Sequence, residues 1–472
     1  MEYAYRKYLN GVNGHRMMQK IAKNQWKPIN DNNELEPQDG LDIISTIDVY
    51  IQDIAHHALL KQLEYYEADH GCVVVMETKT GEIKAISNLG RAKDGSYYET
   101  QNYAVAESHE PGSTFKLLDL IALLDDKKAD TSSVYDSNGG VIEFYKRKVK
   151  DSHKGGYGKI SLAKGFEVSS NTILVQAVYD AYKDNPKQFV DRINSYGLNK
   201  PLGLQLIGEG KPIIHQPGTK GWSGLSLPWM AFGYGVSLTP LQTLSLYNAV
   251  ANDGVMVKPL FVKEIKEWNT TVKKFETEII HPKIASDETL DKVRKVLENV
   301  VKRGTGSKLY SKDFSMAGKT GTAQVNYKDK SKLFYASSFV GYFPADQPKY
   351  SCIVVVHKPN VAAGYYGADV AGPVFKRIAQ KIYTDSPPTN HIKNIDAKIK
   401  SLENNYDSYY KKTQIEATVV PNVKGMVAMD AIALLENLGL SVELKGSGKV
   451  KNQSIQVGEQ ISKNQIIILE LK

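Results

Sequence analysis

The sequence is poor in cysteine, in long apolar runs and in blocks of like charge. Two cysteines among 472 residues exclude a disulfide scaffold and a cysteine-rich zinc site. The longest apolar stretches fall far short of the roughly 18 residues that a membrane-spanning helix requires. The net charge of +8 is spread along the chain without a polybasic tail, so nothing in the sequence indicates binding to nucleic acid.

The composition is otherwise that of a globular protein. Hydrophobic residues make up 42% of the chain and charged residues 24%, which is too apolar for a disordered chain. At roughly 150 residues per domain, the length predicts about three structural units.

The first two segments differ in pattern. Residues 1–38 are polar, rich in turn formers and too poor in apolar residues to fold alone, so we interpret them as either a tail or the remnant of a truncated domain. Residues 39–384 open with a strand-like run, a helix and a hairpin that turns at Thr80-Gly81, and they close with three strand-like runs and a helix. Strands at both ends of a mostly helical middle predict an α+β domain whose first and last strands share one sheet.

The C-terminal part divides into a linker and a small module. Residues 385–416 are polar and charged, and they carry Pro387-Pro388 near their start. They are predicted to form a linker. Residues 417–472 contain an extended start, an amphipathic helix over about 428–437 that Gly439 ends, and two or three strands. This order predicts a compact βαββ-type module.

The first pattern that can carry chemistry is the S-x-x-K pair of Ser113 and Lys116, at the start of an apolar helical run. The two side chains share one helix face. A hydroxyl is a weak nucleophile unless a base takes its proton, and lysine can do so only when neutral, which burial or a nearby cation favours. The free N–H of Ser113 at a helix start also suits an oxyanion hole. Taken alone, the pair is better explained by a helix cap and a solvated lysine.

The second pattern is S-x-N at Ser169 and Asn171, just before an apolar helical run. A plain N-terminal cap accounts for it when it is considered alone. In a functional interpretation, the Ser169 hydroxyl and the Asn171 amide lie beside the base, where they relay a proton and hold a hydrogen bond.

The third pattern is K-T-G, formed by Lys319, Thr320 and Gly321 in a strand-like run. Lys319 and Thr320 suit a carboxylate, and Gly321 permits close approach of the backbone. The N–H of Thr322 can complete the oxyanion hole.

Further copies of these short patterns need a separate explanation. The S-x-x-K copies lie before a short helical run and in the polar linker, and the K-T-G copy lies in a hairpin turn, so none has partner motifs in the right order. These copies are Ser161/Lys164, Ser408/Lys411 and Lys79-Thr80-Gly81.

The three motifs in this order resemble the serine signature of penicillin-binding proteins and class A β-lactamases. EPGSTFK, SSNT, GYGVSLTPLQ, GKTGTAQ and YYGADVAGPVFKRIA extend the resemblance to a class B penicillin-binding protein over residues 39–384. Residues 417–472 resemble a single PASTA domain, and residues 1–38 resemble the end of a pedestal domain. The resemblance implies an α+β serine transpeptidase fold, with an antiparallel sheet flanked by helices.

The resemblance also implies a reaction and its residues. The protein would attack the D-Ala-D-Ala bond of a peptidoglycan stem peptide, release D-Ala, and transfer the acyl group to an amine of a neighbouring stem. β-Lactams would trap the acyl-enzyme, and no metal or cofactor is required. The implied catalytic residues are Ser113, Lys116, Ser169 and Asn171, and the implied substrate-binding residues are Lys319, Thr320, Gly321 and Thr322.

Partners and location are implied in the same way. The PASTA module points to the septal, cell-division subgroup, with peptidoglycan stem peptides and β-lactam antibiotics as ligands. A membrane glycan polymerase and divisome proteins would bind through an N-terminal region that precedes this sequence. The protein is expected on the periplasmic face of the cytoplasmic membrane, held by an N-terminal helix that is absent from this chain.

Two other functions remain open at this stage. A D,D-carboxypeptidase or another penicilloyl serine hydrolase shares the motifs, because sequence does not show whether water reaches the acyl-enzyme. A non-catalytic β-lactam sensor or wall-binding protein would carry the same module with a vestigial site, although the intact motif set argues against this.

Overall fold

The computed structural model describes residues 2–21, 25–29, 34–327, 329, 332–385, 418–462 and 465–472. The chain divides into two compact units, Met1–Ser386 and Pro387–Lys472. The predicted linker at 385–416, with Pro387-Pro388, lies outside the described residues except for Asp385.

The α-helices are numbered in chain order and differ widely in length. They are α1 (Glu2–Leu9), α2 (Val49–Tyr65), α3 (Tyr103–Ala106), α4 (Lys116–Asp125), α5 (Leu162–Glu167), α6 (Asn171–Tyr182), α7 (Pro186–Ser195), α8 (Ser226–Met230), α9 (Pro240–Ala251), α10 (Asp287–Arg303), α11 (Gly367–Val370), α12 (Gly372–Asp385) and α13 (Ala428–Asn437). Short 3₁₀ turns cover Gly112–Thr114, Asn138–Gly140 and Ser307–Leu309. Among the described helices, none combines the length and the apolar composition needed to cross a membrane.

The strands are numbered in the same way. They are β1 (Met18–Lys20), β2 (Trp26–Pro28), β3 (Asp42–Ser45), β4 (His70–Glu77), β5 (Ile83–Arg91), β6 (Tyr97–Tyr98), β7 (Val134–Asp136), β8 (Val141–Phe144), β9 (Arg147–Lys150), β10 (Lys159–Ser161), β11 (Ile213–Ile214), β12 (Val236–Ser237), β13 (Met256–Val257), β14 (Val262–Glu267), β15 (Thr270–Lys274), β16 (Ile279–His281), β17 (Ala317–Val325), β18 (Phe334–Phe343), β19 (Tyr350–His357), β20 (Ser441–Lys445), β21 (Val450–Gln453) and β22 (Ile466–Leu471).

A six-stranded sheet organises the first unit, with strand order β17-β18-β19-β4-β5-β6. All of its neighbouring strands run antiparallel. The early strand β4 pairs with the late strand β19, so the hairpin strands and the last strands share one sheet as predicted. The first strand of the domain, β3, does not join them, because it pairs with β14 in a separate sheet. The α+β class is therefore confirmed.

Both faces of this sheet are buried, which explains the continuous apolar runs in β4 and β19. Successive side chains of a strand point to opposite faces. Val74 and Met76 accordingly belong to one hydrophobic core, and Val73 and Val75 to the other. Helices α2 and α12 cover the second face, while α4, α6, α9 and α10 contribute to the core of the first.

The N-terminal segment docks on this unit through a small core of its own. Tyr5 of α1 is buried against Val262 and Ile265 of β14. Strand β14 also pairs with β3, so the start of the chain lies beside a small three-stranded sheet with order β15-β14-β3.

The second unit contains the predicted helix as α13, followed by β20, β21 and β22 in a sheet of order β20-β22-β21. The segment before the helix contributes isolated bridges between Val419 and Gln460 and between Val427 and Lys449. Gly439 follows the helix with a φ of 87°, a left-handed conformation that glycine adopts without a steric penalty. Leu434, Ile467 and other apolar side chains form a core within this unit.

Candidate active site

Ser113 lies in the 3₁₀ turn that leads directly into α4, as the sequence predicted for the start of a helix. Its side chain is half-buried and lines a cavity of about 770 Å³. The turn is fixed from below, because the Tyr247 hydroxyl donates to the Thr114 carbonyl at 2.8 Å. Gly112 adopts a φ of 56°, and its N–H donates to the Gly233 carbonyl at 3.1 Å. The nucleophile candidate is therefore held at a fixed turn on the wall of a cavity.

Lys116 is fully buried beneath this turn. Its Nζ lies 2.9 Å from the Ser169 carbonyl oxygen, 2.7 Å from Asn171 Oδ1 and 3.3 Å from Ser169 Oγ. Burial lowers the pKa of Lys116 to about 7, against the opposing effect of Asp151 and Asp119. A neutral amine has two N–H groups and one lone pair. The two shortest contacts use both N–H groups, so the lone pair remains available to accept a proton.

Ser169 and Asn171 are positioned by the start of α6. Ser169 has a φ of 57°, which presents both its carbonyl and its hydroxyl to Lys116. The helix cap is the neighbouring Ser170, whose hydroxyl accepts from the Ile173 N–H at 3.2 Å. The capping role that alone could explain this motif therefore belongs to Ser170, and Ser169 is left to face the base.

Asp151 holds this arrangement in place, and no motif in the sequence pointed to it. Its carboxylate accepts from the backbone N–H groups of Asn171 at 2.6 Å and Thr172 at 3.0 Å, and from the Ser170 hydroxyl at 3.0 Å. The Asn171 amide also donates to the Lys150 carbonyl at 2.8 Å, which orients its oxygen toward Lys116. The Asp151 carboxylate thus pairs with two of the N–H groups that have no partner within the first turn of α6.

Strand β17 brings the K-T-G motif against the nucleophile turn. A Cβ added at Gly321 would lie 2.2 Å from Ser338 Oγ and 2.9 Å from Thr114 Cγ2. A side chain at this position would have to displace Ser338 or Thr114, in agreement with the close backbone approach predicted for Gly321. Thr320 and Thr322 line the same cavity as Ser113.

Lys319 lies below the surface of the cavity, whereas the sequence predicted direct contact with a substrate carboxylate. It is fully buried, its Nζ donates to the Thr320 carbonyl at 3.1 Å, and it lies 5.6 Å from the ring centre of Phe166. Burial, together with the charge of Lys116, holds the pKa of Lys319 well below its usual range. Because repulsion between two ammonium groups is mutual, protonation of either lysine disfavours protonation of the other.

The hydroxyls of the two threonines are already anchored. Thr320 Oγ1 lies 2.7 Å from Thr305 Oγ1, and Thr322 Oγ1 accepts from the Gly367 N–H at 3.0 Å. Strand β17 is the last strand of the sheet at this edge among the described residues. Its outward backbone groups are therefore positioned to pair with an extended peptide.

Aromatic side chains form much of the outer wall of the cavity. They are Trp229, Phe232, Tyr234, Tyr365 and Tyr366. The Tyr234 hydroxyl accepts from the Gln324 N–H at 2.8 Å, which ties this wall to β17. The surface suits the aliphatic part of a peptide better than a phosphate or a polyanion.

The remaining motif copies are structural where they are described. Ser161 caps α5 by accepting from the Lys164 N–H at 3.2 Å. Thr80-Gly81 lies in the turn between β4 and β5, with Gly81 at a φ of 78°. The copy at Ser408 and Lys411 lies outside the described residues.

Comparison with known proteins identifies the first unit. Residues 71–380 match the family described as penicillin binding protein transpeptidase domain, and residues 418–472 match the PASTA domain. The chain belongs to the penicillin-binding protein transpeptidase family. Binding of β-lactams and action on peptidoglycan follow from this membership, as does a serine transpeptidase mechanism.

Two curated proteins are similar to most of the chain. Stage V sporulation protein D of Bacillus subtilis is 30% identical over 472 residues, covering 98% of this chain and 70% of that protein. The probable peptidoglycan D,D-transpeptidase PenA of Neisseria gonorrhoeae is 30% identical over 357 residues, covering 72% of this chain and 56% of that protein. The chain thus spans little more than half the length of PenA.

Solved structures share the fold. Penicillin binding protein 2X from Streptococcus thermophilus superimposes with a TM-score of 0.69 at 20% identity, covering 100% of this chain and 69% of that one. Penicillin binding protein 3 of Mycobacterium tuberculosis, in complex with aztreonam, gives a TM-score of 0.66 at 26% identity, covering 75% of this chain and 81% of that one.

Proposed function

We propose that this protein is a peptidoglycan D,D-transpeptidase that cross-links stem peptides through an acyl-enzyme on Ser113. The observation that carries the proposal is the buried amine of Lys116, with a pKa lowered to about 7 and both Ser169 and Asn171 within hydrogen-bonding distance. General bases work best when their pKa is close to the working pH.

In the acylation step, neutral Lys116 takes the proton of the Ser113 hydroxyl as the oxygen attacks the carbonyl of the penultimate D-Ala. The backbone N–H groups of Ser113 and Thr322 stabilise the oxyanion. When the tetrahedral intermediate collapses, the C–N bond breaks. The proton then passes from Lys116 through the Ser169 hydroxyl to the leaving amine of D-Ala.

The K-T-G strand binds the rest of the substrate. The terminal carboxylate of the stem peptide lies against the hydroxyls of Thr320 and Thr322, and Lys319 makes the potential beneath them more positive when it is protonated. Gly321 lets the peptide backbone lie along the edge of β17. In the second step an amine of a neighbouring stem attacks the ester carbonyl and Lys116 accepts its proton. As the ester C–O bond breaks, Lys116 returns that proton to Ser113 Oγ, which regenerates the serine hydroxyl.

We also propose the wider setting that the resemblance implied. Residues 39–384 form the transpeptidase domain, 1–38 the end of a pedestal, 385–416 the linker and 417–472 the PASTA domain. The protein acts in septal wall synthesis, on the outer face of the cytoplasmic membrane, with a glycan polymerase and other division proteins as partners. The pairing of the transpeptidase and PASTA matches supports this assignment.

Labelling with a fluorescent penicillin tests the nucleophile. Wild-type protein should gain one adduct, mapped by mass spectrometry to Ser113, and Ser113→Ala should lose it. Ser161→Ala, at the cap of α5, is the matched control and should label normally. An adduct elsewhere would contradict the assignment of Ser113.

A second assay separates cross-linking from hydrolysis. With a D-Ala-D-Ala stem peptide and an amine acceptor, the protein should release D-Ala and form the transferred peptide. Release of D-Ala with the hydrolysed peptide alone, or steady turnover of a β-lactam, would identify a carboxypeptidase or a β-lactamase instead.

A further inference from the structure

A strongly basic stretch of the chain borders the active-site cavity. Residues 146–159 contain six lysine and arginine side chains, all of them exposed, and one carboxylate, that of Asp151. None of the six forms an ion pair within the described part of the chain, whereas Lys164, just beyond them, pairs with Glu167 at 3.5 Å. Positive charges that no acidic side chain compensates attract an anionic ligand. The six side chains are Lys146, Arg147, Lys148, Lys150, Lys154 and Lys159.

Two of these side chains, those of Lys148 and Lys150 in β9, line the active-site cavity. They leave the same face of the strand because they are two residues apart. The backbone carbonyl of Lys150 accepts from the Asn171 amide at 2.8 Å, and Asn171 Oδ1 lies 2.7 Å from Lys116 Nζ. The backbone of β9 is therefore held two hydrogen bonds away from the catalytic amine.

The charge that lines the cavity is unbalanced at these two lysines. A third lysine of the lining, Lys308, pairs with Asp369 at 2.6 Å. The Asp151 carboxylate is engaged by the N–H groups at the start of α6. Among the charged residues that line the cavity in the described part of the chain, only the amines of Lys148 and Lys150 have no hydrogen-bond or ion-pair partner.

The neighbouring strand does not neutralise them. In the hairpin register, Lys150 lies opposite Val141 of β8, and Lys148 lies opposite Glu143. Glu143 is exposed, and it forms no ion pair with Lys148 among the described residues. An incoming anion can therefore contact both amines without first breaking an ion pair.

In the proposed function, the terminal carboxylate of the stem peptide is bound by the K-T-G strand. Any further carboxylate of that peptide must belong to a residue before D-Ala-D-Ala. We propose that Lys148 and Lys150 form a subsite for such a second carboxylate, so that stem peptides with a free acid at this position react faster than stem peptides with an amide. This inference rests on the proposed function and adds a preference among its substrates.

The remaining lining of the cavity favours a peptide as the carrier of this carboxylate. The cavity of about 770 Å³ has room for a ligand longer than a dipeptide, since ligand pockets measure roughly 300–1,000 Å³. Trp229 and Tyr365 offer aromatic surface to its aliphatic parts, and a lysine ammonium donates to a carboxylate oxygen. The attacking amine of the acceptor stem is cationic before it loses its proton, so the two lysines repel it. The subsite therefore belongs to the peptide that acylates Ser113.

The size of the preference follows from the exposure of the two amines. An exposed ion pair changes an equilibrium constant by up to about fivefold, so two such pairs predict a preference of about 3- to 20-fold in kcat/KM. Because salt screens exposed charges, the preference should shrink in about 0.5 M salt.

Matched peptides test the subsite with the full chain. Two pairs of blocked tetrapeptides carry glutamate or glutamine either one or two residues before D-Ala-D-Ala, and each peptide is assayed for release of D-Ala with an amine acceptor. In at least one pair, kcat/KM should be about 3- to 20-fold higher for the glutamate peptide. The Lys148→Gln/Lys150→Gln double variant should bring this ratio close to 1. Lys146→Gln, in the turn of the same hairpin and outside the cavity lining, is the matched control and should keep the wild-type ratio.

A second readout separates the subsite from the transpeptidase reaction. The peptide concentration that halves the labelling of Ser113 by a fluorescent penicillin measures binding without turnover. If no peptide releases D-Ala, the proposed function fails, and this competition still compares glutamate with glutamine. Labelling of the double variant at Ser113 shows that its acylation site is folded; should it not label, the two single variants are compared instead, and each should lower the ratio.

Equal values for glutamate and glutamine in both pairs, in release and in competition, would overturn the subsite. A preference that survives in the double variant, or one that Lys146→Gln removes to the same extent, would overturn it as well. A preference that is present in the wild type and the control, absent from the double variant and weakened by salt supports it.

Discussion

The pH dependence of acylation is the sharpest consequence of the buried lysine. With a pKa of about 7 for Lys116, roughly one tenth of the amine is neutral at pH 6 and nine tenths at pH 8. Because the neutral form is the base, the acylation rate increases as the pH rises through the pKa of Lys116. The second-order rate should therefore increase about tenfold between pH 6 and pH 8 and then level off.

An ordinary solvated lysine gives a different curve. With a pKa near 10.4, its neutral fraction would grow about a hundredfold over the same interval and would still be rising at pH 9. The rate can be followed by stopped-flow mixing with a fluorescent penicillin from pH 5.5 to 9, with Ser113→Ala as the blank. A rate that keeps rising beyond pH 8.5, or one that does not change with pH, would refute the reasoning.

Substitutions near Lys116 test what sets the pH midpoint of the acylation rate. The negative charge of Asp151 raises the pKa of Lys116, so Asp151→Asn should move the midpoint to lower pH. Asp119 is buried, and neither of its oxygens has a hydrogen-bond partner in the described part of the chain. Burial raises its pKa well above the usual range. The charge of Asp119 also raises the pKa of Lys116, less than that of Asp151 does, so Asp119→Asn should move the midpoint in the same direction by a smaller amount.

Four further perturbations test the site and its independence from the C-terminal unit. Lys116→Arg should lower the acylation rate by about 10²- to 10⁴-fold, because arginine is not deprotonated in proteins, while circular dichroism stays that of the wild type. Lys319→Ala should slow acylation, whereas Lys79→Ala, in the hairpin turn, should leave the rate unchanged. Equal effects of the two substitutions would contradict the assignment of Lys319-Thr320-Gly321 as the substrate-binding motif. Gly321→Ala should lower both the melting temperature and the acylation rate, because its Cβ would lie 2.2 Å from Ser338 Oγ; a wild-type rate would contradict this. Ending the chain after Asp385 should leave the acylation rate constant unchanged, and a large fall in a truncated protein that still folds would show that the C-terminal unit shapes the site.

The sequence by itself determined the features that depend on neighbouring residues. The helix Ala428–Asn437, the hairpin turn at Gly81 and the position of Ser113 before α4 follow from local periodicity and turn chemistry. The pairing of Ser113 with Lys116 is also local, because a helix places residues three apart on one face. Motif order could then be compared with a known family.

Only the tertiary structure decided the chemistry of these side chains. The pKa of Lys116 depends on burial beneath a turn, and the partners of its amine come from the start of α6. No sequence motif marks Asp151, because its role arises only from the hydrogen bonds that the start of α6 donates to its carboxylate. His70 and His357 lie at opposite ends of the domain sequence and meet because β4 and β19 pair. Local patterns report which groups are present, whereas desolvation and the distances between groups are set by contacts across the fold.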